Sequence, residues 1–514
     1  MSTAEVQHPP LEGSQRLFAT VMLAVANFMV VLDMTIANVS VPHIAGSLAV
    51  SPSQGTWVIT SYAVAEAIIV PLTGWLTSRI GTVRLFLLAI LGFAASSLVC
   101  AWSQSLEMLI FARILQGLCG GPIMPLSQTL LLGSYPPNKT GPALAAWAMT
   151  TLLAPIAGPV LGGWISDNLA WQWIFYINVP FGIIGATMIY GIYAKRETAR
   201  RQTPVDAVGL GLLILWVGSL QLVLDKGREL DWFGSPLIVA LTAIAALAFV
   251  VFIIWELTDE HPVVDLRLFK SRSFTSAVLA LSLIFGTFFG YIVLLPLWLQ
   301  TYEGYTALWA GLAVAPMGIL SILMAPVVGL NLNRVDPRYF ATFAVVVFAT
   351  VFVWRSGVTP SPSFASIVAP QFVVGLAMST MFLPLTALAL ADIRPGQIAA
   401  ASGLQNFLRT LFGAFGTALA TNYWDNGITR HHAALTEAIT RGAPAAGQVS
   451  AIAKHVTGSP LGGSALIDTL INSQAAVLAL KDFFLIAAVV VVLVSPLIWL
   501  AHRPRVQVDA SAAH

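Results

Sequence analysis

The chain has 514 residues, of which 57% are hydrophobic and only 9% charged, with a net charge of +2 and a mean hydropathy of +0.82. Ordinary soluble domains carry about 25% charged residues, so this composition excludes a soluble globular protein. The basic residues are spread among loops rather than gathered in a stripe, which excludes a nucleic-acid-binding surface.

A membrane-crossing helix needs about 20 apolar residues, and the sequence offers fourteen such stretches. Only helices or closed barrels cross a bilayer, and the short alternating strands of a barrel are absent. The expected fold is therefore an all-α polytopic membrane protein. Its predicted spans are 17–41, 55–77, 83–103, 106–132, 142–166, 173–194, 206–224, 235–256, 274–299, 307–330, 339–355, 364–390, 399–423 and 479–501. The first apolar run, Leu17–Val41, is too long for a cleaved signal and reads as a span. Cys100 and Cys119 both fall in apolar segments and read as buried small hydrophobes.

Lys and Arg concentrate in loops on one side. With the N-terminus in the cytoplasm, that side takes Arg16, Arg79, Arg84, Lys139, Lys195, Arg196, Arg200, Arg201, Arg267, Lys270, Arg272, Arg334, Arg338, Arg394, Arg503 and Arg505. The opposite side takes far fewer, among them Lys226, Arg228, Arg355 and Arg430. The positive-inside rule then places both termini in the cytoplasm.

Three regions follow. Residues 1–194 form an N-terminal six-helix bundle. Residues 195–273 form a linker with two additional spans, opened by the basic run KRETARR. Residues 274–514 form a C-terminal six-helix bundle whose external segment, 424–478, reads as short helices outside the membrane. PLTGWLTSRI from Pro71 and PVVGLNLNRV from Pro326 match in Pro, Gly and Arg at an offset of 255, and RILQGL from Arg113 matches QFVVGL from Gln371 at 258. A parallel repeat of six spans, separated by two extra spans, is the simplest parse. This register sets Phe288 opposite Asp33, Ser321 opposite Glu66 and Gln371 opposite Arg113.

Four ionisable side chains lie deep in the predicted spans: Asp33, Glu66, Arg113 and Arg409. A charge at mid-bilayer costs at least about 2.5–3.5 kcal/mol. Asp33 and Arg113 sit at a similar depth, so either they form a structural ion pair or Asp33 titrates against Arg113 and carries a proton. Glu66 is either a second proton site or a hook for cationic cargo, unless it is simply a neutral acid hydrogen-bonded to a neighbour. Arg409 reads as structural or as a partner for an anionic cargo group. The second half offers apolar and aromatic surface at Phe288, Tyr291, Met378 and Phe382. Asn38 and Gln116 add polar cargo contacts beside Asp33 and Arg113. Gly74 and Arg79, in the loop between spans two and three, read as gating or as plain positive-inside anchoring. Pro155, Gly158 and Pro159, in APIAGPVLGG of span five, read as a hinge or as tight helix packing. The pair His431-His432 lacks further ligands at metal spacing. No phosphate-binding GxxxxGK[ST] loop and no nucleophile–base constellation is present, so neither ATP use nor an enzyme is expected.

On these motifs the chain resembles the fourteen-span drug:proton antiporters of the major facilitator superfamily, and within them the EmrB-type multidrug pumps. LDMTIANVSVP is similar to the family's span-one motif, RILQG to its span-four motif and APIAGPVLGG to its span-five antiporter motif. SQGTWVITSYAVAEAIIVPLTGWL, WQWIFYINVPFG, LDKGRELDWF and WELTDEHPVVDLRLFKSRSFT also match EmrB-type stretches, and the resemblance covers about residues 17–505. It implies a major facilitator fold with a 6 + 2 + 6 arrangement of helices in the bacterial inner membrane. It implies proton-coupled export of amphipathic toxic compounds, with protons as the coupling ion and no cofactor. Asp33 falls on the family's membrane-embedded acid and Arg113 on its span-four arginine. The implied partners are a periplasmic membrane-fusion adaptor of EmrA type, contacting segment 424–478, and an outer-membrane channel of TolC type. Two positions depart from the family. Ser78 stands where the loop motif usually has Asp, so the resemblance carries no charge-mediated gate to that position. Glu66 stands where a neutral polar residue is expected. The alternative expectation is a narrow-specificity exporter of a metabolite, fatty acid or siderophore.

Overall fold

The computed structural model describes residues 9–136, 140–200, 206–332, 334–440 and 460–502. Among them the chain is helical, with long helices running back and forth and short connections at either end. The first bundle contains α1 (Gly13–Ser47), α2 (Trp57–Ile69 continued by Thr73–Ile80), α3 (Thr82–Ala101), α4 (Leu106–Leu132), α5 (Thr140–Asn168) and α6 (Trp173–Tyr193). The inserted pair is α7 (Ala207–Lys226) and α8 (Pro236–Thr258). The second bundle contains α9 (Arg272–Tyr302), α10 (Leu308–Asn331), α11 (Pro337–Arg355), α12 (Phe364–Leu390), α13 (Ile398–Thr440) and α14 (Pro460–Leu500).

Each of the fourteen predicted spans falls on one of these elements. Eleven of them are long and apolar enough to cross a membrane by themselves, and the bent α2 brings the number to twelve. The membrane half of α13 is diluted by Gln405, Asn406 and Arg409, which explains why hydropathy alone does not mark it. Span 55–77 is expected as one span, and it forms two segments that meet at 62°. The break surrounds Pro71, which lacks an N–H and cannot continue the ladder.

The external segment differs from expectation. Helix α13 runs on to Thr440 and α14 already begins at Pro460. Residues 424–440 and 460–478 are thus extensions of membrane helices rather than separate short helices. Trp424 donates to the Ala476 carbonyl at 3.0 Å. A Cβ on Gly427 would stand 2.8 Å from the Ala479 side chain, so the two extensions pack closely.

The bundles share one packing plan. Helix α1 packs on α5 and α6, α2 on α4, and α3 on α4 and α6; in the second bundle α9 packs on α13 and α14, α10 on α12, and α11 on α12 and α14. The bundles meet where α5 faces α10 and α12, and where α13 faces α2 and α4. The inserted α7 lies over this second seam, against both α2 and α13. Helix α8 is the most peripheral, with a mean hydropathy of 3.1 and only 22% of its apolar window buried. Leu237, Leu247, Val250 and Ile254 are exposed on it. Such an apolar exterior is stable only against lipid.

The linker has a local role. Gly81 turns the chain into α3 with φ +97, a backbone state that favours glycine. The Glu197 carboxylate accepts from the amides of Val83 and Arg84 at 3.0 and 2.9 Å. It thereby satisfies orphan donors at the N-terminus of α3.

Candidate functional site

Five helices of the first bundle converge on Asp33. The residue lies on the inward face of α1 together with Ile36, Ala37 and Ser40, and is 2% exposed. Its Oδ2 accepts from Arg113 Nη1 at 2.6 Å. Its Oδ1 accepts from Gln116 Nε2 at 3.0 Å and from Asn178 Nδ2 at 2.7 Å. Arg113 and Gln116 are one helical turn apart on α4, so both reach the same carboxylate. Gln116 also donates to Ser97 of α3 at 2.7 Å.

Arg113 is fully buried and held from several sides. Its Nε donates to the Val58 carbonyl of α2 at 3.0 Å and its Nη1 to Gln116 Oε1 at 2.7 Å. The guanidinium lies over the Tyr62 ring, 4.3 Å from its centroid. Its Nη2 meets no acceptor among the described residues. Breaking one side of such a pair leaves an uncompensated buried charge, which costs about 3–5 kcal/mol. The carboxylate is therefore tied to α4 and α6 for as long as it is ionised, and a proton arriving on it removes the reason for the tie.

Glu66 and Arg409 lie where α2 and α4 face α13. Glu66 is 7% exposed and its Oε2 has no hydrogen-bond partner among the described residues. It lies within electrostatic reach of Arg113, Arg409 and Asp33. Arg409 is 3% exposed. Its Nη2 donates to Met124 Sδ at 2.8 Å, across the seam between bundles. Its guanidinium lies between the rings of Phe285 and Phe382, at 5.0 and 5.1 Å. Its Nε and Nη1 meet no acceptor among the described residues. Phe382 in turn stacks on Trp147 of α5, centroids 5.7 Å apart. The result is an aromatic, sulfur-lined place between the bundles that holds one base with open donors and one acid with an open acceptor.

The remaining sequence candidates separate. Gln116 belongs to the Asp33 cluster, whereas Asn38 is exposed and lies outside it. Phe382 lies at the seam, and Met378 is buried one turn earlier on α12. Phe288 and Tyr291 are packed inside the second bundle, against Phe348 of α11 and against Phe352 and Phe484 respectively. The repeat register needs a correction here. Tyr291, not Phe288, occupies the place of Asp33, because the Tyr291 hydroxyl hydrogen-bonds Gln371, the counterpart of Arg113. The pairing of Ser321 with Glu66 agrees with the packing: Gly117 is set against Tyr62 O and Glu66 N, and Gly375 against Met317 O and Ser321 N.

Gly74 of α2 is where the bundles touch, at the face where α1 begins and α14 ends. A Cβ there would stand 2.5 Å from Ala400 Cβ and 2.6 Å from its Cα. At the other seam Gly141 abuts the Gly329 carbonyl. The two bundles are thus in near-backbone contact at this face. Arg79 is exposed and lies 5.6 Å from the Trp75 ring. Gly158 lets α5 press against Thr35 of α1, two residues from Asp33. Pro155 and Pro159 lie within α5, but their side chains fall outside the described residues. His431 pairs with Asp482 and His432 with Asp468, each at the α13–α14 extension.

Sequence reasoning missed Asn178 and Ser97. Asn178 stands near the start of an apolar run, where polar residues are usual, and Ser97 is a small hydroxyl inside span 83–103 that bonds its own helix backbone; only the helix packing brings both to the Asp33 cluster. It also missed Glu256 of α8, which is 0% exposed yet sits at a predicted span end.

A profile of the Major Facilitator Superfamily matches residues 23–417. The chain is 46% identical to the multidrug export protein EmrB of Escherichia coli (strain K12), over 97% of this chain and 98% of that one. It is 44% identical to the fatty acid resistance protein FarB of Neisseria gonorrhoeae, over 97% and 98%. In fold it is similar to the human organic anion transporter MFSD10, with a TM-score of 0.56 at 15% identity, covering 94% of this chain and all of that one.

Proposed function

The chain belongs to the major facilitator superfamily, and on that premise we propose that it is a proton-coupled antiporter exporting amphipathic drugs or toxic hydrophobic compounds across the bacterial inner membrane. The observation that supports this most is the sealed cluster in which Asp33 is bound by Arg113, Gln116 and Asn178. Inside low dielectric, a carboxylate and guanidinium this close hold α1 to α4 and α6 only while both are charged. Protonation of Asp33 turns an ion pair into a weaker neutral contact and leaves Arg113 to find another acceptor. That change biases the packing of α1, and α1 carries Thr35 against Gly158 of α5. Proton occupancy is thereby converted into helix position, which is what an alternating-access exporter needs. Glu66 is a second proton site, facing cargo rather than α4.

Cargo binds at the seam between bundles, where Arg409, Phe285, Phe382, Trp147 and Met124 combine apolar area with one unsaturated cation. The face that carries the termini is cytoplasmic, in keeping with its Lys and Arg. A helix of 43 residues such as α13 is roughly 65 Å long, about twice the hydrocarbon thickness. Its extension with α14 therefore stands outside the membrane, where a periplasmic adaptor leading to an outer-membrane channel would contact it. A second reading, export of fatty acids or similar anions alone, is favoured by the open donors of Arg409 and by the name of the FarB relative. A susceptibility panel in a strain lacking the chain separates the two. Sensitisation to several unrelated amphiphiles supports multidrug export, sensitisation to long-chain acids alone supports the second reading, and no sensitisation to any compound contradicts both.

A further inference from the structure

The inserted helices end in a segment, 259–270, that runs from α8 to α9 and lies on the face where the bundles touch. It faces both of them across one cavity. On one side it faces Gly74, Trp75 and Ser78 of α2, and on the other Gln397 and Ala400 at the start of α13, around a cavity of about 200 Å³. Gln397 Nε2 donates to Asp265 Oδ2 at 3.3 Å. Its own Val263, Val264 and Leu268 are buried.

What fixes the segment is a buried acid that the coupling scheme does not use. Glu256, at the last turn of α8, accepts the Val264 amide on Oε2 at 3.1 Å. Its Oε1 has no partner among the described residues. Asp206 stands beside it, capping α7 through Gly209 at 2.8 Å and accepting from Trp255 Nε1 at 3.0 Å. Glu256 thus anchors the segment to α8, and the Phe269 carbonyl, which accepts from Thr275 of α9 at 2.7 Å, ties it to the second bundle, so the face it turns to α2 across the cavity is the one free to part.

We infer that segment 259–270 is a latch on the proposed cytoplasmic gate, held in position by Glu256. Opening that gate must part Gly74 from Ala400. A segment that faces both cannot follow both, and its tie to α9 keeps it with the second bundle, so the gate opens only when the segment parts from α2. The two extra helices, on this reading, add a third body to the closure between two bundles. This rests on the alternating-access reading but on no particular cargo.

The test is therefore an accessibility measurement that needs no cargo. Ser402, 0% exposed and two residues beyond Ala400, is changed to cysteine in a Cys119→Ser background. In inside-out vesicles its labelling by an impermeant maleimide, read by mass spectrometry of its peptide, reports gate opening. Linking Asp265→Cys to Ser78→Cys of α2, which line the same cavity, with a short bis-methanethiosulfonate is expected to slow labelling at least ten-fold, with recovery on reduction. Glu256→Ala is expected to speed labelling at least three-fold, while Glu256→Gln, whose amide oxygen still accepts from Val264, stays near the parent rate. Unchanged labelling in the linked protein, failure of the link to form, or equal rates for Glu256→Ala and Glu256→Gln would each overturn the latch.

Discussion

The Tyr291 hydroxyl hydrogen-bonds Gln371 inside the second bundle, in the place that Asp33 holds against Arg113 inside the first. Both positions shift by 258 residues between the halves. One half thus keeps a carboxylate–guanidinium pair at this node and the other a neutral hydroxyl–amide pair, with the buried Arg355 guanidinium 5.5 Å from the Tyr291 ring. If charge is what matters for coupling, the neutral node is structural. Tyr291→Phe removes a hydroxyl from a buried pair and leaves Gln371 less satisfied, at a cost of about 1–3 kcal/mol. The expected outcome is a lower melting temperature in detergent with efflux retained within about two-fold. Loss of coupled efflux at full protein level would count against the asymmetry.

The charged node predicts strong non-additivity. Asp33→Ala strands Arg113, which is 0% exposed, and is expected to destabilise by about 3–5 kcal/mol. Adding Arg113→Met removes the stranded charge and is expected to restore part of that loss. Thermal unfolding of the two single variants and the double variant forms the cycle. Simple addition of the two losses would mean that the pair is not coupled.

Arg409 predicts opposite signs for stability and activity. Its Nε and Nη1 are buried without acceptors, a standing penalty in the absence of cargo. Arg409→Met keeps the length and fills the space between Phe285 and Phe382. The variant is expected to be about 1–3 kcal/mol more stable and to bind anionic amphiphiles at least about ten-fold more weakly, equivalent to 1.4 kcal/mol. Fluorescence titration and melting curves on one preparation check both signs, and a less stable variant with unchanged binding contradicts them.

Gly158 presses α5 onto Thr35. A branched side chain there forces α1 and α5 apart, and overpacking of this kind costs about 1–3 kcal/mol. Gly158→Val is expected to abolish efflux and lower the melting temperature, with Gly158→Ala intermediate in both. Efflux from Gly158→Val vesicles at the parental rate would show that close approach of these helices is not needed.

Much of this was legible before the fold. Asp33 and Arg113 stand out because charges inside apolar runs are costly, and their similar depth brings them together. Gln116 follows from its position one turn beyond Arg113. Asn178 was not legible, because an asparagine at a helix end is equally suited to headgroups until α6 is docked on α1 and α3. The register of Phe288 failed by three residues because Pro and Gly matches in α2 and α10 do not fix the register of α1 and α9. The bend at Pro71 and the extensions of α13 and α14 escaped for a related reason: hydropathy reports where lipid begins, not where a helix ends. The 259–270 segment was legible only as a charged loop, since what it touches is distant in sequence.

The most direct measurement is efflux of a fluorescent amphiphile from proteoliposomes under an imposed proton gradient, with internal pH followed by a trapped dye. It compares the parent protein with Asp33→Asn and Glu66→Gln. The account predicts gradient-driven efflux with proton movement in the parent and neither in Asp33→Asn, although cargo still binds. It predicts slower efflux with fewer protons per cargo in Glu66→Gln. Gradient-driven efflux by Asp33→Asn at the parental rate would contradict it.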